Sequence, residues 1–269
     1  MKPYLWEALS HVTTAPARRA LVREYLQARI LESLQRVEAM IPLAFHGGTC
    51  LRFFYDLPRY SEDLDFALER HPEQYDFPGY LEAVRRDLAA EGYSLDIRLS
   101  DQKVVHSAFV RFRGLLHELG LSPHADQVLA IKLEVDTRPP PGAGLETTLV
   151  DRHVPLHLQH HDRASLFAGK THALLQRVYA KGRDWYDLGW YLRQPGWPPP
   201  NLTMLNAALA QSGWEGKTVT PDNWKTQIRA RLDALDWGLV AADVEPFILN
   251  PDEVLSRAQI RRDLEAFPG

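Results

Sequence analysis

The first strong pattern along the chain is helical, over residues 18 to about 40. Its apolar side chains recur with a period near 3.6 residues, at Leu21, Tyr25, Ile30, Leu34 and Val37. The apolar run that follows, residues 41–46, is typical of a short buried strand, and Gly47 and Gly48 end it. The pattern therefore predicts a long helix that leads directly into a buried strand.

A short helix and a second strand are predicted next, on either side of Pro58. Residues 49–57 favour a helix whose N-terminus is capped by Thr49, and Pro58 ends it. Acidic and apolar residues alternate over residues 63–69, which predicts a half-buried strand with its apolar side chains facing the core. The acidic side chains then share the opposite face of this strand.

The rest of the first half mixes helix and strand, whereas the second half is largely helical. A helix is predicted over residues 78–91, and strands over 94–100, 104–114 and 128–138. Pro139–Gly144 indicates a loop or boundary, and helices follow over 162–180, 184–192 and from 203 onward. The predicted fold class is α/β (α+β), with a mixed sheet flanked by helices in residues 1–145 and a mainly helical half in 146–269.

Composition narrows the class of protein further. The chain has 269 residues, 45% of them hydrophobic and 25% charged, which is typical of a globular protein with a sizeable core. Its formal charge of −4 disfavours a protein coated in nucleic acid, although a local basic groove is compatible with it. The sequence has no apolar run long enough to span a membrane, no signal-peptide pattern, and a single cysteine, Cys50. We therefore expect a cytoplasmic protein with no membrane partner.

Two aspartates, Asp63 and Asp65, suggest the chemistry, because they project from the same face of the predicted strand. Adjacent carboxylates repel each other unless a cation lies between them, and Mg²⁺ is commonly held by carboxylates and substrate phosphates. Upstream, Gly47 and Gly48 leave backbone N–H groups open at a helix N-terminus, and the Thr49 hydroxyl adds a donor. A phosphate cradle beside a metal-binding carboxylate pair predicts phosphoryl or nucleotidyl transfer.

The order of strand, Gly-Gly-Thr turn, helix and Asp-x-Asp strand is typical of the nucleotidyltransferase fold. That fold needs a third acidic group on a neighbouring strand, to bind a metal or accept a proton. Lys132, Glu134 and Asp136 share one face of the predicted strand over residues 128–138. Glu134 is the first choice for the third acid and Asp136 the second, although an exposed strand face of alternating charge explains either residue equally well.

Several stretches resemble the AbiEii/AbiGii toxin nucleotidyltransferases, a family whose mycobacterial relatives are called MenT toxins. Beyond the Gly-Gly-Thr turn, the family's Arg-x-Ser-x-Asp-x-Asp-Phe motif is matched by Arg59, Ser61, Asp63, Asp65 and Phe66. A helical lysine is matched by Lys170, and an Arg-Asp-x-Tyr-Asp-Leu element by Arg183, Asp184, Tyr186, Asp187 and Leu188. The resemblance covers about residues 40 to 193.

The resemblance implies an Mg²⁺-dependent enzyme that transfers a nucleotide from a nucleoside triphosphate. Some relatives modify the 3′ end of tRNA and so block translation, and family members are commonly encoded beside a neutralising antitoxin. The expected metal ligands are Asp63 and Asp65, with Glu134 added as the third acid that the fold requires. The expected nucleotide contacts are Gly47, Gly48, Thr49, Arg59, Ser61 and Lys170, and Asp184 or Asp187 is expected to orient Lys170 or assist the acceptor. The helical half is expected to complete the active site, with Gly182 breaking the helix between Lys170 and Asp184.

Alternatives remain open: nucleotidylation of a small molecule or a protein, and a catalytically silent member that acts as a binding partner in a toxin–antitoxin pair. A glycosyltransferase metal site ranks last, because it leaves the Gly-Gly-Thr turn without a role. A zinc site is not expected from His153, His157, His160, His161 and Asp162, which we interpret as a neutral surface cluster. The tryptophans of the second half are expected to be core, and the arginines near residues 18–29 and 257–262 to be solvated helix faces.

Overall fold

The computed structural model describes residues 2–248 and 256–268. Contacts divide the chain into two compact units, and neither unit is continuous in sequence. Unit 1 comprises Met1–Tyr55, Tyr60–Arg138 and Thr147–His160, and unit 2 comprises Asp56–Arg59, Pro139–Glu146 and His161–Gly269. This division differs from the sequence-based one at residue 145, because most of residues 146–161 belong to unit 1.

Unit 1 opens with two helices, α1 (Lys2–Ser10) and α2 (Ala15–Arg36). α1 was not predicted from the sequence. α2 begins at Ala15 rather than at residue 18, and Pro16 lies in its first turn, where a backbone N–H is not needed for helical hydrogen bonds. It ends before residue 40, and Glu38 beyond it adopts a left-handed backbone conformation with φ 58°. Most of the predicted apolar stripe of α2 is buried.

The main feature of unit 1 is a mixed sheet. In chain order its strands are β1 (Leu43–His46), β2 (Leu64–Leu68), β3 (Leu95–Ser100), β4 (Val105–Phe112), β5 (Leu129–Asp136), β6 (Leu145–Arg152) and β7 (Val154–His161). Their order across the sheet is β3-β4-β5-β2-β1-β7-β6. The β1–β7 and β2–β5 pairs are parallel, whereas β1–β2, β3–β4 and β4–β5 are antiparallel. The predicted fold class, helices combined with a mixed sheet, is confirmed.

Residues 145–161, for which the sequence predicted no element, form β6 and β7. β7 does carry a strand pattern, since Val154, Leu156 and Leu158 are buried and alternate with exposed residues. β6 lies at the edge of the sheet and has no buried residue, so its pattern of apolar and polar positions is weak. β7 joins the sheet by pairing in parallel with β1, and that pairing is not visible in the local sequence.

The other helices of unit 1 are α3 (Gly47–Tyr55), α4 (Phe77–Ala90) and the short α5 (Leu115–Glu118). α2 packs against α4 and against β5, so one face of the sheet is covered by helices. The apolar residues of β2 and β5 face this side: Leu64, Phe66, Ile131, Leu133 and Val135 are buried. The residues that alternate with them along β5 are half-buried, and these carry the candidate chemistry.

Unit 2 contains the helices of the second half. They are α6 (Arg163–Gln176), α7 (Gly182–Arg193), α8 (Leu202–Gln211), α9 (Trp224–Asp233), α10 (Trp237–Val244) and α11 (Arg257–Ala266). α6 ends at Gln176, earlier than predicted. The helix does break between Lys170 and Asp184, but the break lies at residues 177–181, and Gly182 is the first residue of α7. A Cβ at Gly182 would collide with the Val240 carbonyl, so glycine permits the close packing of α7 on α10.

Aromatic residues form much of the core of unit 2. Phe167 and Tyr191 stack with ring centroids 4.7 Å apart, and the ring of Trp224 meets Phe167 edge-on. Trp185, Trp190 and Trp197 are buried as well, as the sequence predicted, although Trp214 is only half-buried. Within the described ranges, no helix combines the length and the apolar composition needed to cross a bilayer.

Candidate active site

The Gly-Gly-Thr turn lies at the junction of β1 and α3, in unit 1. Gly47 adopts a left-handed backbone conformation (φ +78°), and a Cβ at this position would collide with Oδ2 of Asp65. Glycine therefore serves two requirements at once, the backbone conformation and the close approach of a carboxylate. The Asp65 side chain lies directly beside the first residue of α3.

Thr49 does not cap α3 as predicted. The helix begins at Gly47, so Thr49 lies within its first turn. The side chain is buried, and its hydroxyl donates a hydrogen bond to the backbone carbonyl of Asp63 at 2.5 Å. This bond ties α3 to the segment that precedes β2 and positions the backbone of Asp63. The phosphate contacts proposed for Gly48 and Thr49 stay predictions.

Carboxylates from two strands occupy neighbouring positions of the sheet. Asp65 of β2 is opposite Glu134 of the parallel strand β5, and on the other side of β2 it is opposite His46 of β1. Residues in register project from the same face of a sheet, with strands about 4.8 Å apart. Asp136, the second choice for the third acid, is instead opposite Ala67. The register thus places Glu134 beside Asp65, and it adds His46, which sequence reasoning missed.

Asp63 and Ser61 lie in the segment that leads into β2, and both are half-buried. The Ser61 carbonyl accepts a hydrogen bond from the side-chain amide of Gln27 at 3.2 Å. Gln27 is a buried residue of the long helix α2, so α2 holds the start of this segment while Thr49 holds its end. The two hydrogen bonds position the Ser-x-Asp part of the motif.

Asp65 and Glu134, here called the acidic row, offer the oxygen ligands that a hard cation prefers. Glu134 is half-buried and paired with Lys132, whose Nζ lies 2.7 Å from Oε1. Among residues 2–248 and 256–268, no three His, Cys, Asp or Glu side chains are arranged as a set of metal ligands, so the predicted trio with Asp63 is not preassembled. Mg²⁺ does not require such a set, because one or two carboxylates with substrate phosphates and waters commonly hold it. Asp65 and Glu134 fit that pattern.

Cys50, in α3, is too deeply buried to act as a nucleophile. Burial, and after it the charge of Asp65, raises the pKa of the Cys50 thiol well above its usual range. The thiol is therefore protonated at neutral pH, and a thiolate is what nucleophilic chemistry requires. The influence of Asp65 on the Cys50 thiol agrees with the position of the Asp65 carboxylate beside the start of α3.

In unit 2, Arg59 and Asp187 form a buried ion pair. Nε and Nη2 of Arg59 donate to the two carboxylate oxygens of Asp187, each at 2.6 Å. The two side chains are 2% and 0% exposed. Burial acts to lower the pKa of Arg59, but the negative charge of Asp187 outweighs it and the pKa is raised. This pair joins residues 56–59 to α7 and gives Arg59 a structural partner, whereas the sequence suggested a phosphate contact.

Lys170 of α6 belongs to the same network. Its Nζ lies 2.8 Å from Oδ1 of Asp184 and 2.7 Å from Oδ2 of Asp187. Arg177 contacts the other oxygen of Asp184, with Nε 3.1 Å from Oδ2. Sequence reasoning left open which aspartate positions Lys170, and in the structure both of them contact it.

The charges of this network reinforce one another. Burial acts to lower the pKa of Lys170, but Asp184 and Asp187 outweigh it and raise the pKa. Burial acts to raise the pKa of Asp184, but Lys170 and then Arg177 outweigh it and lower the pKa. Lys170 is therefore a permanent cation at neutral pH and not a proton acceptor. Its contact with a triphosphate stays a prediction.

The histidine cluster is largely internal, and the expectation of surface histidines is wrong for His160 and His161, which are buried. In unit 1, Nε2 of His160 lies 2.8 Å from the Thr148 hydroxyl, and its ring stacks on Phe54 at 4.6 Å between centroids. His157 is exposed, as expected. These residues support packing, and within the part of the chain that the structure describes they form no set of metal ligands.

A glycine turn at a strand–helix junction, carboxylates on adjacent strands and a mixed sheet are together typical of nucleotidyltransferases. The sequence model of the AbiEii family, described as nucleotidyl transferase toxins of type IV toxin–antitoxin systems, matches residues 29–267. The chain therefore belongs to the AbiEii family. No curated protein sequence matches it significantly.

Solved structures share the fold. The crystal structure of JHP933 from Helicobacter pylori superposes with a TM-score of 0.57 and 18% identity, over 92% of this chain and 89% of the other. A crystal structure from H. pylori described as a candidate nucleotidyltransferase superposes with a TM-score of 0.57 and 19% identity, over 92% of both chains. At such low identity the likeness concerns the fold alone, and the family assignment depends on the sequence match.

Proposed function

We propose that this protein is an Mg²⁺-dependent toxin that transfers a nucleotide from a nucleoside triphosphate to the 3′ end of an RNA, with tRNA as the acceptor, and so inhibits translation. Family membership supports the triphosphate donor and a cognate antitoxin as partner. The Mg²⁺ requirement, the RNA acceptor and action in the cytoplasm are our inference. The modification of tRNA rests on the resemblance to MenT toxins.

One observation carries the proposal: Asp65 is in register with Glu134 on the neighbouring strand and abuts Gly47 at the start of α3. A helix N-terminus offers backbone N–H groups to an anion, and the adjacent carboxylates offer oxygen ligands to a cation. A nucleoside triphosphate with its magnesium ion needs both. Few other ligands need a phosphate cradle and a carboxylate pair in contact with each other.

In the proposed reaction, the RNA 3′-hydroxyl gives its proton to water and attacks the α-phosphorus in line. The O–P bond to the acceptor forms as the bond between the α-phosphorus and the bridging oxygen of the β-phosphate breaks, and pyrophosphate leaves. Asp63, Asp65 and Glu134 would hold Mg²⁺, which neutralises charge on the reacting phosphates. Gly47 and Gly48 present backbone N–H groups to the triphosphate, with Ser61 as a further contact. The protein's contribution is thus positioning and electrostatic stabilisation.

The test incubates purified protein with Mg²⁺, total tRNA and each α-³²P-labelled nucleoside triphosphate in turn. The decisive variant is Glu134→Gln, and its matched control is Asp136→Asn, two residues along the same face of β5. We expect label on tRNA from the wild type and the control, and a loss of at least about 100-fold for Glu134→Gln, since metal-held charge stabilisation contributes several kcal/mol. Equal loss in both variants would contradict the assignment of Glu134.

The same experiment separates the alternatives. Label on a protein or a small molecule, with none on RNA, would replace the RNA acceptor and leave the enzyme class intact. Binding of the triphosphate without transfer to any acceptor would favour a silent binding member. Growth arrest on expression in a bacterial host, abolished by Asp63→Ala, is the expected cellular result.

A further inference from the structure

The sheet face that carries Asp65 and Glu134 continues outward across unit 1. Lys132 lies on the same face as Glu134, two residues earlier in β5, and it is opposite Phe109 of β4. Residues in register share a face, so Phe109 is on the side of the candidate acids. Its strand neighbours Ala108 and Val110 are fully buried on the opposite face. The acidic row and Phe109 thus belong to one surface.

Phe109 is unusually open for a phenylalanine within a sheet. It is 42% exposed, although the residues before and after it in β4 are buried. The Nζ of Lys132 lies 5.8 Å from the centre of its ring while also pairing with Glu134. A partly exposed aromatic ring with a cation near it is suited to stack on a nucleobase.

Three arginines lie on or next to the two outer strands near Phe109. Arg98 of β3 is opposite Phe109, and it is 70% exposed. Arg111 and Arg113 follow Phe109 along the chain, and all three arginines lie within 4.0 Å of a single carboxylate, that of Asp96. Three positive charges against one negative charge leave this edge of the sheet with a net positive charge.

The spacing matches a short stretch of nucleic acid. With strands about 4.8 Å apart and about 3.4 Å per residue, the Cα of Phe109 lies about 8 Å from that of Glu134 and about 12 Å from that of Asp65. Stacked nucleotides rise about 3.4 Å each, so these distances correspond to roughly two to four nucleotides. A chain end at the acids would bring a nearby base over Phe109.

We propose that Phe109, Arg98, Arg111 and Arg113, here called the β3–β4 patch, bind the single-stranded 3′ end of the RNA acceptor. Phe109 stacks on an unpaired base, and the arginines contact the phosphates that precede the reacting hydroxyl. The inference rests on the proposed function and specifies how its acceptor is held. A surplus of positive charge around one aromatic ring favours a polyanion with exposed bases over a protein partner.

Measurements of RNA binding test the β3–β4 patch without requiring catalysis. Fluorescence anisotropy would follow a labelled RNA hairpin with an unpaired 3′ overhang, and a blunt-ended hairpin beside it. We expect Phe109→Leu to weaken binding of the overhang hairpin about 5- to 150-fold, the equivalent at 25 °C of the roughly 1–3 kcal/mol that one base–aromatic stack contributes. Phe109→Trp should retain binding, and Leu149→Ala, an exposed apolar residue on the far edge strand β6, should change nothing.

The dependence of RNA binding on salt concentration tests the contribution of the arginines. Arg98→Glu should weaken binding and reduce the slope of log Kd against log salt by about 0.7 for each phosphate of a single strand that the arginine no longer neutralises. Arg85→Glu is the control, since Arg85 is an exposed arginine on α4 whose ion-pair partner is the exposed Glu82. Circular dichroism and thermal unfolding of each variant would confirm that the fold is retained.

Several outcomes would overturn the proposal. These are equal binding by wild type and Phe109→Leu, equal affinity for overhang and blunt hairpins, and no RNA binding by the wild type. Loss of antitoxin binding in Phe109→Leu with RNA binding unchanged would reassign the patch to a protein partner. If the wild type labels tRNA and Phe109→Leu does so equally well, the patch fails and the proposed function stands; if the wild type labels no RNA, the RNA acceptor itself fails.

Discussion

Glu24 of α2 is a buried carboxylate whose charge should hold three elements of unit 1 together at neutral pH. It is 5% exposed and lies 2.7 Å from Nε of Arg52 in α3 and 3.2 Å from both Arg152 and His153, at the turn between β6 and β7. Burial acts to raise its pKa, but His153, Arg52 and Arg152 outweigh burial and lower the pKa to about 2. Replacement by glutamine removes the charge and keeps the shape.

The expected size of the effect follows from this lowering of the pKa. The pKa of Glu24 falls from an ordinary value of 4.5 to about 2. At about 1.36 kcal/mol per pKa unit, the charged side chain contributes about 3 kcal/mol of stability. Because the folded-state pKa is the lower one, this contribution is complete well above pH 4.5 and is lost as pH falls toward 2. Linkage predicts a loss of about 0.8 kcal/mol by about pH 4 and about 2 kcal/mol by about pH 3.

The assay is urea unfolding of the wild type and Glu24→Gln at several pH values between about 7 and about 3. The free-energy difference between the two proteins should be largest at neutral pH and should shrink by about 2 kcal/mol at about pH 3, because Glu24 of the unfolded chain is then protonated and must lose its proton on folding. Glu82→Gln is the control, since Glu82 is 73% exposed and its difference from wild type should be small and flat. A difference for Glu24→Gln that is independent of pH would refute the reasoning.

Three further substitutions test the two units separately. Asp187→Asn should destabilise the protein by about 3–5 kcal/mol in urea unfolding, because it leaves the buried Arg59 charge uncompensated; Asp184→Asn should cost less, and equal effects would contradict the distinction. Gly47→Ala should lower nucleotide transfer at least about 10-fold while the folded protein persists, because its Cβ would displace the Asp65 carboxylate and its backbone conformation is strained. Wild-type transfer by Gly47→Ala would mean that the contact between glycine and carboxylate is dispensable.

Local pattern was enough to predict the elements around the site. The apolar run before Gly47, the short helix after it and the acidic–apolar alternation of β2 are each visible within about ten residues, and the structure has all three. The motif order also predicted Glu134 as the first choice for the third acid, although nothing local separated it from Asp136. Helix ends and the weak edge strand β6 were not predictable, because tertiary pairing decides them.

What the sequence determined by itself is therefore the chemistry present and the elements that carry it, since periodicity and turn residues act over a few positions. Only the tertiary structure decided which groups meet. Arg59 and Asp187 are 128 residues apart in the chain, and only the tertiary structure shows that they form a bidentate, buried ion pair. The parallel register of β2 with β5 likewise places Glu134, and not Asp136, beside Asp65. Such contacts depend on how distant segments pack, and no local pattern of side chains encodes that packing.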